Sequence, residues 1–453
     1  MRLQPLFLLL ASSAALAACA GGAAMNAARS SNGVLPATKH PEASATVVSL
    51  GSYNINPSKV FIAGISSGGF MAVQMHFAFS GTFKGTAIYA GGPDECAQDS
   101  ETTALEDCGG DGTYGSELTP SENFINANQD TAGMDPVSNI SGQEVYLWSG
   151  TGDTVVPQKT MNDLQTEYEH YGATVTYDNS FDAEHGWESL DGTVSCDTLS
   201  SPYMILCDHG STPYDSQKKW LALFFGTLNA RNSGTLNGSL MQFSQSPYGG
   251  GSNSLDTTGY IFVPQSCASG TQCGLVVALD GCEQYQEVIG DEFVTLAGLD
   301  EYADTNNFIV LYPYQTESSS NPEGCWDWWG YTNSSYALKS GVQMTDVDDM
   351  VKHVMGGTSS TPTPAPTATP SPTAAPSSTP SPTPTTSPTP SPTATPPYSQ
   401  EQTNTVVEFY AEGDITLQEY LELGQAYGYD SEITLYDCNG TWTDSSTCGP
   451  MTY

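Results

Sequence analysis

Residues 60–71 read Val-Phe-Ile-Ala-Gly-Ile-Ser-Ser-Gly-Gly-Phe-Met, and they constrain the chain more than any other stretch. Apolar, β-prone residues lead into a G-x-S-x-G frame, and helix-compatible residues follow at once. A strand can turn into a helix this sharply only where small side chains let the two backbones approach, and Gly64, Gly68 and Gly69 supply them. A serine at the centre of such a turn has its hydroxyl exposed, beside the unpaired N–H groups and positive dipole end of the helix. Ser66 is therefore the candidate nucleophile. A plain strand-to-helix turn is the competing reading; Ser67, next in sequence, lacks the G-x-S-x-G frame.

A nucleophilic serine needs a base and a carboxylate to orient that base. The chain has six histidines. His76, His170 and His353 fall on segments with helical patterning, where a structural role is the simpler reading, and His209 lies in a loop close to Cys207. His185 sits in Asp-Ala-Glu-His-Gly-Trp, a loop-like stretch after an apolar strand, and is the candidate base. Residues 144–153, Glu-Val-Tyr-Leu-Trp-Ser-Gly-Thr-Gly-Asp, read as strand, Gly-rich turn and then Asp153. Asp153 completes the order Ser…Asp…His of α/β-hydrolases, although an Asp in a tight turn is commonplace in a chain with 50 acidic residues.

Short apolar runs bounded by turn residues recur at 60–63, 85–90, 144–148, 174–177, 260–263, 275–279 and 308–312. Helical patterning occupies 68–79, 158–171, 216–228 and 345–354. Strands alternating with helices imply an α/β fold, a mainly parallel sheet flanked by helices. An ordinary α/β-hydrolase places strands and an oxyanion loop ahead of its nucleophile. Here too little chain precedes residue 60, so those strands have to come from behind. Asp280-Gly281-Cys282-Glu283-Gln284 follows the run at 275–279 as an oxyanion loop would. The expectation is a circularly permuted α/β-hydrolase whose oxyanion donors are the backbone N–H groups of Ser67 and Cys282.

Residues 1–18 read as a signal peptide, with Arg2 followed by an apolar run too short to span a bilayer. Leu16-Ala17-Ala18-Cys19 has the form of a bacterial lipobox, in which Cys19 would be lipidated; cleavage in the same stretch without a lipid is the alternative. A flexible segment, 19–44, leads to a catalytic unit at 45–356. Residues 357–397 are almost wholly Thr, Pro, Ser and Ala, a semi-rigid spacer of roughly 3 Å per residue. A small module, 398–453, follows; its aromatic residues would either adsorb to a substrate or form its own core. Setting Cys19 aside leaves ten of the 11 cysteines, an even number suited to an oxidising compartment. Neighbour pairing gives Cys96–Cys108, Cys196–Cys207, Cys267–Cys273 and Cys438–Cys448, leaving Cys282 with Cys325. No C-x-x-C pair exists and His is scarce, so neither a metal site nor a cofactor is expected. The formal net charge of −39 repels nucleic acid and anionic headgroups, which confines membrane contact to a lipid on Cys19. A secreted monomer is expected, or one anchored in the cell envelope by that lipid.

With these residues in hand the chain resembles the extracellular poly(3-hydroxybutyrate) depolymerases with an N-terminal lipase box. The likeness runs through 64–69, Gly91-Gly92-Pro93, 150–153, His185-Gly186, Pro202-Tyr203, 281–284, Leu311-Tyr312-Pro313 and the aromatic block Asn321-Pro-Glu-Gly-Cys-Trp-Asp-Trp-Trp-Gly330. It implies a circularly permuted hydrolase acting on an insoluble polyester, with Ser66, Asp153 and His185 as triad and the amides of Ser67 and Cys282 as oxyanion donors. One departure stands out: Asp280 occupies a position where the family usually has His. Trp187, Trp326, Trp328 and Trp329 are candidates for an apolar groove holding monomers, with core packing as the alternative. Two other functions compete. One is a feruloyl or acetylxylan-type esterase on plant polysaccharide, and the other is a non-catalytic binding protein.

Overall fold

Residues that alternate along each apolar run face opposite sides of one sheet, and both sides are covered. The computed structural model describes residues 46–109, 118–210 and 212–356, and the backbone of 436–437 and 449–450. The leader, Cys19, the spacer and the Cys438–Cys448 pairing lie outside the described residues. Of the module only a short antiparallel pair is described, Tyr436–Asp437 with Gly449–Pro450.

Eight strands form the sheet: β1 Ile55–Ile65, β2 Gly85–Tyr89, β3 Glu144–Trp148, β4 Thr174–Asp178, β5 Ser239–Ser244, β6 Thr258–Val263, β7 Cys273–Leu279 and β8 Phe308–Tyr312. Their order across the sheet is β5-β6-β8-β7-β1-β2-β3-β4. β6 pairs antiparallel with both neighbours, and the other pairings are parallel. The first strand among the described residues thus lies inside the sheet, with β2 to β4 on one side and β5 to β8 on the other. Counted from β5 with the ends joined, the sheet reads 1-2-4-3-5-6-7-8 and the Ser66 strand is fifth. This is a circularly permuted α/β-hydrolase.

The main helices are α1 Ser67–Ala78, α2 Thr119–Asn128, α3 Gln158–His170, α4 Ser216–Phe225, α5 Asp300–Asn306 and α6 Val342–Val354. Val60, Ile62, Val145, Leu147, Val277 and Leu311 pack with α1, α3 and α6 in one core. Phe61, Ala63, Tyr89, Trp148, Val276 and Tyr312 pack with α4 and α5 in the other. Burial on both faces explains why these strands read as continuous apolar runs. Phe61 shows the packing: it stacks on Phe224 at 4.5 Å and meets Phe225 edge-on at 5.1 Å, a burial worth about 1.5–3 kcal/mol. Every residue of α1 is buried, as expected of a helix that is apolar all round.

Disulfides join Cys96 to Cys108, Cys196 to Cys207, Cys267 to Cys273 and Cys282 to Cys325. Among the described residues no helix is long and apolar enough to cross a membrane.

Candidate active site

The turn from β1 to α1 leaves no room for side chains. A Cβ on Gly64 would lie 2.1 Å from the Gly68 carbonyl oxygen, and one on Gly68 would lie 2.1 Å from that of Asp280. Ser66 takes φ 55° and ψ −125°, a conformation that costs a non-glycine residue about 1–3 kcal/mol and is kept by its surroundings. Its N–H donates to the Tyr89 carbonyl at 3.0 Å, and its own carbonyl accepts from Phe70 N at 3.0 Å. The side chain is thereby left to face outward.

Asp153 and His185 come from loops that follow β3 and β4. Those loops touch because Gly150 has no side chain: a Cβ there would lie 1.9 Å from the Ala183 carbonyl oxygen. Glu184 fastens them, accepting from Thr154 N at 3.2 Å and from Thr154 Oγ1 at 3.0 Å. His185 Nδ1 donates to Asp153 Oδ2 at 3.0 Å. The other oxygen, Asp153 Oδ1, accepts from Val155 N at 2.9 Å and Val156 N at 2.8 Å. The carboxylate is 1 % exposed and the imidazole 7 %, so the pair is fixed in a dry place with Nε2 left for a substrate or nucleophile.

The loop after β7 closes over the serine. A Cβ on Gly281 would stand 3.0 Å from Ser66 Cβ. Gly281 N donates to Gln284 Oε1 at 2.7 Å, and Glu283 N donates to the Glu323 carbonyl at 2.8 Å. The amide between them, that of Cys282, belongs to the turn that closes on Ser66. Ser67 N is the first N–H of α1 and has no acceptor within the helix. Glu283 adopts φ 59° and accepts from the Tyr203 hydroxyl. The neighbouring Glu323 carboxyl is pushed up by partial burial and by its hydrogen bond with Glu283.

Ser66, His185 and Cys282 open on one cleft of about 580 Å³, walled by Phe70, Val156, Leu199, Tyr203, Trp328 and Trp329 among others. Trp328 stacks on Phe70 at 4.1 Å and meets Trp329 edge-on at 5.8 Å. Trp187 and Trp326 are not part of that wall. Trp187 is fully buried, stacked on Tyr89 at 4.2 Å with its indole N–H on the Ala297 carbonyl. Trp326 is also fully buried, with Nε1 donating to Asp280 Oδ1 at 3.0 Å. Leu105, in the short helical turn Ala104–Cys108, and Val155 and Leu199, in loops, escaped sequence reading because none belongs to a periodic apolar run. All three are exposed beside the cleft.

His76 is fully buried between the Tyr168 hydroxyl, 3.0 Å from Nδ1, and Gln143 Oε1, 2.6 Å from Nε2. Burial pushes its pKa down to about 4, and it is a neutral packing residue.

No protein-family model matches the sequence. Polyhydroxybutyrate depolymerase of Talaromyces funiculosus is 38 % identical over 336 residues, spanning 70 % of this chain and 95 % of that protein. Poly(3-hydroxybutyrate) depolymerase of Delftia acidovorans is 37 % identical over 330 residues, 71 % of this chain and 64 % of that one. The crystal structure of PHB depolymerase from Penicillium funiculosum superposes with a TM-score of 0.62 at 36 % identity, covering 69 % of this chain and 100 % of that chain. A second structure with the same figures is a serine-to-alanine variant of PHB depolymerase complexed with an R3HB trimer. On this evidence the chain belongs to the polyhydroxybutyrate depolymerase family.

Proposed function

We propose that this protein hydrolyses the ester bonds of poly(3-hydroxybutyrate), or of a related polyhydroxyalkanoate, through an acyl-enzyme on Ser66. The observation that carries the reading is the Asp153–His185 hydrogen bond opening on the same cleft as Ser66, in a member of this family. His185 Nε2 takes the Ser66 proton as the hydroxyl attacks the carbonyl carbon, and Asp153 holds the tautomer that leaves Nε2 basic. The amides of Ser67 and Cys282 receive the oxyanion, an arrangement in which one donor is worth about 3–4 kcal/mol. The alcohol end departs with the proton from His185, and water activated by the same imidazole releases the acid.

The cleft wall suits a polyester. It is largely apolar, with Phe70, Trp328 and Trp329 offering flat faces to methyl-bearing monomers. The exposed Leu105, Val155 and Leu199 beside it give a solid surface something to rest on. Export through the 1–18 leader, a spacer at 357–397 and a polymer-binding module at 398–453 complete the reading, with the enzyme acting as a monomer outside the cell or held there by a lipid on Cys19. Purified mature protein supplied with poly(3-hydroxybutyrate) film and, separately, with feruloylated xylan tests it. Hydroxyacid release from the film and no ferulate from the xylan is expected; the reverse pattern would overturn the assignment.

A further inference from the structure

One buried side chain joins the turn that closes on Ser66 to the segment that supports His185. Gln284 is 1 % exposed. Its Oε1 accepts from Gly281 N at 2.7 Å, while Nε2 donates to the Pro202 carbonyl at 2.7 Å and meets Met204 Sδ at 3.6 Å. Only one orientation of the amide serves, because the Gly281 amide can only donate and the Pro202 carbonyl can only accept. From Gly281 the connection runs to the nucleophile, since a Cβ there would stand 3.0 Å from Ser66 Cβ. From Pro202 it runs to the base. Trp187 N donates to the Tyr203 carbonyl at 2.8 Å, Trp187 pairs with Met204, and a Cβ on Gly186 would lie 2.9 Å from the Tyr203 carbonyl oxygen. His185 stands directly before Gly186 and Trp187 in the chain.

We propose that Gln284 is a positioning residue that sets the Gly281–Cys282 turn in register with the His185 loop. The inference rests on the acyl-enzyme reading and on the oxyanion donors assigned to Ser67 and Cys282. Cys282 is bracketed by two bonds: Gly281 N is held by Gln284, and Glu283 N by the Glu323 carbonyl at 2.8 Å. Of these two, the bond to Gln284 leads on to the base loop. Gln315 also holds the turn, through the Gly281 carbonyl at 3.0 Å, but its second bond goes to Gly324. Register matters because the imidazole and the oxyanion donors act on one carbonyl group, and a displacement of about 1 Å costs on the order of a hundredfold in rate. An apolar side chain of the same length would fill the space of Gln284. It would leave the Gly281 amide and the Pro202 carbonyl unpaired, and the turn free to slide.

The test is Gln284→Met in the full mature protein, because Met keeps the length and approximate volume and removes both bonds. On a soluble ester, kcat and kcat/KM should fall together by about ten- to hundredfold, with KM little changed. A trifluoromethyl ketone reads the same loss without turnover. The Ser66 oxygen bonds to its carbonyl carbon, the serine proton passes to His185, and the oxyanion so formed needs the positioned amides. Its dissociation constant should rise by a similar factor. A role in packing alone predicts a lower thermal midpoint with kcat and ketone affinity within about twofold of wild type, and that result would overturn the proposal. A fall in kcat with ketone affinity unchanged would overturn it too. Should Met fail to fold, Gln284→Glu decides the matter. As a neutral acid Glu accepts from Gly281 and donates to Pro202; ionised, it sets two acceptors against each other. Its kcat relative to wild type should start near one at about pH 5 and fall as the buried carboxyl ionises, and a ratio independent of pH contradicts the proposal. Wild-type protein that leaves the ketone unbound, or full activity in Ser66→Ala, would strike instead the acyl-enzyme reading beneath it.

Discussion

At the scale of single residues the site works by exclusion. Each group that could act elsewhere is tied, and what remains points into the cleft. Asp153 illustrates this: two backbone amides hold one oxygen, His185 holds the other, and no freedom is left. Asp153→Asn replaces an acceptor by a donor at the His185 contact and favours the tautomer with Nε2 protonated, which cannot take the serine proton. Steady-state kinetics on a soluble ester should show kcat lowered about 10⁴-fold with KM nearly unchanged; a loss below tenfold would mean that Asp153 does not orient the base. Sequence singled out Ser66, Asp153 and His185 as candidates because each follows a strand with glycine close by, and the structure brings Asp153 to His185 and His185 to the cleft of Ser66. The tryptophans could not be sorted in this way. Trp187 and Trp326 look the same in sequence as Trp328 and Trp329, yet the first two lie in the core and the latter two face the cleft. Side-chain direction in a loop follows from tertiary contacts such as the Trp326–Asp280 bond, and no local pattern encodes those.

At the scale of elements, strand ends and short loops do the positioning, and one covalent link joins two of them. Cys282–Cys325 ties the Gly281–Cys282 turn to the aromatic segment that carries Trp328, across 43 residues of sequence. Loop-closure entropy sets its worth at about 4 kcal/mol, against about 2 kcal/mol for Cys267–Cys273, which spans only 6. Replacing Cys282 and Cys325 with Ser should lower the thermal midpoint and also kcat, because the Cys282 amide loses its anchor. Replacing Cys267 and Cys273 should lower the midpoint alone. Thermal melts paired with kinetics check this, and equal effects on kcat from both pairs would contradict it. The strands that read well from sequence, at 144–148, 275–279 and 308–312, are those buried on both faces. β5, Ser239–Ser244, was missed: it is an edge strand of mixed polarity, and its pairing with β6 comes from the sheet and not from its own pattern. The start of β1 escaped because Asn56, Pro57, Ser58 and Lys59 interrupt the apolar pattern after Ile55.

At the scale of the molecule, acidity is built into the interior as well as the surface. Burial pushes Glu167 and Glu188 up to about 8, and Glu95 and Asp346 up to about 7. An unfolded chain releases these protons near pH 4 to 4.5, so between about pH 4.5 and 8 the native state holds more protons. Stability therefore falls as pH rises through that window, and self-repulsion at a net charge of −39 acts in the same direction. His76 opposes the trend below about pH 6.5, because it is buried neutral, but it is one group against four. The thermal midpoint should drop from pH 5 to pH 8, and Glu167→Gln should flatten the slope; a midpoint that climbs over this range would show those carboxyls to be ionised in the fold. The permuted sheet order was legible because apolar runs at 260–263, 275–279 and 308–312, and a turn placed like an oxyanion loop, follow the G-x-S-x-G frame in the chain. The central claim, that this cleft cuts polyester through Ser66, is tested most directly by hydroxyacid release from poly(3-hydroxybutyrate) film. Wild-type protein should release soluble product and Ser66→Ala should lose the rate by about 10⁴-fold or more, whereas equal release by the two proteins would contradict the account.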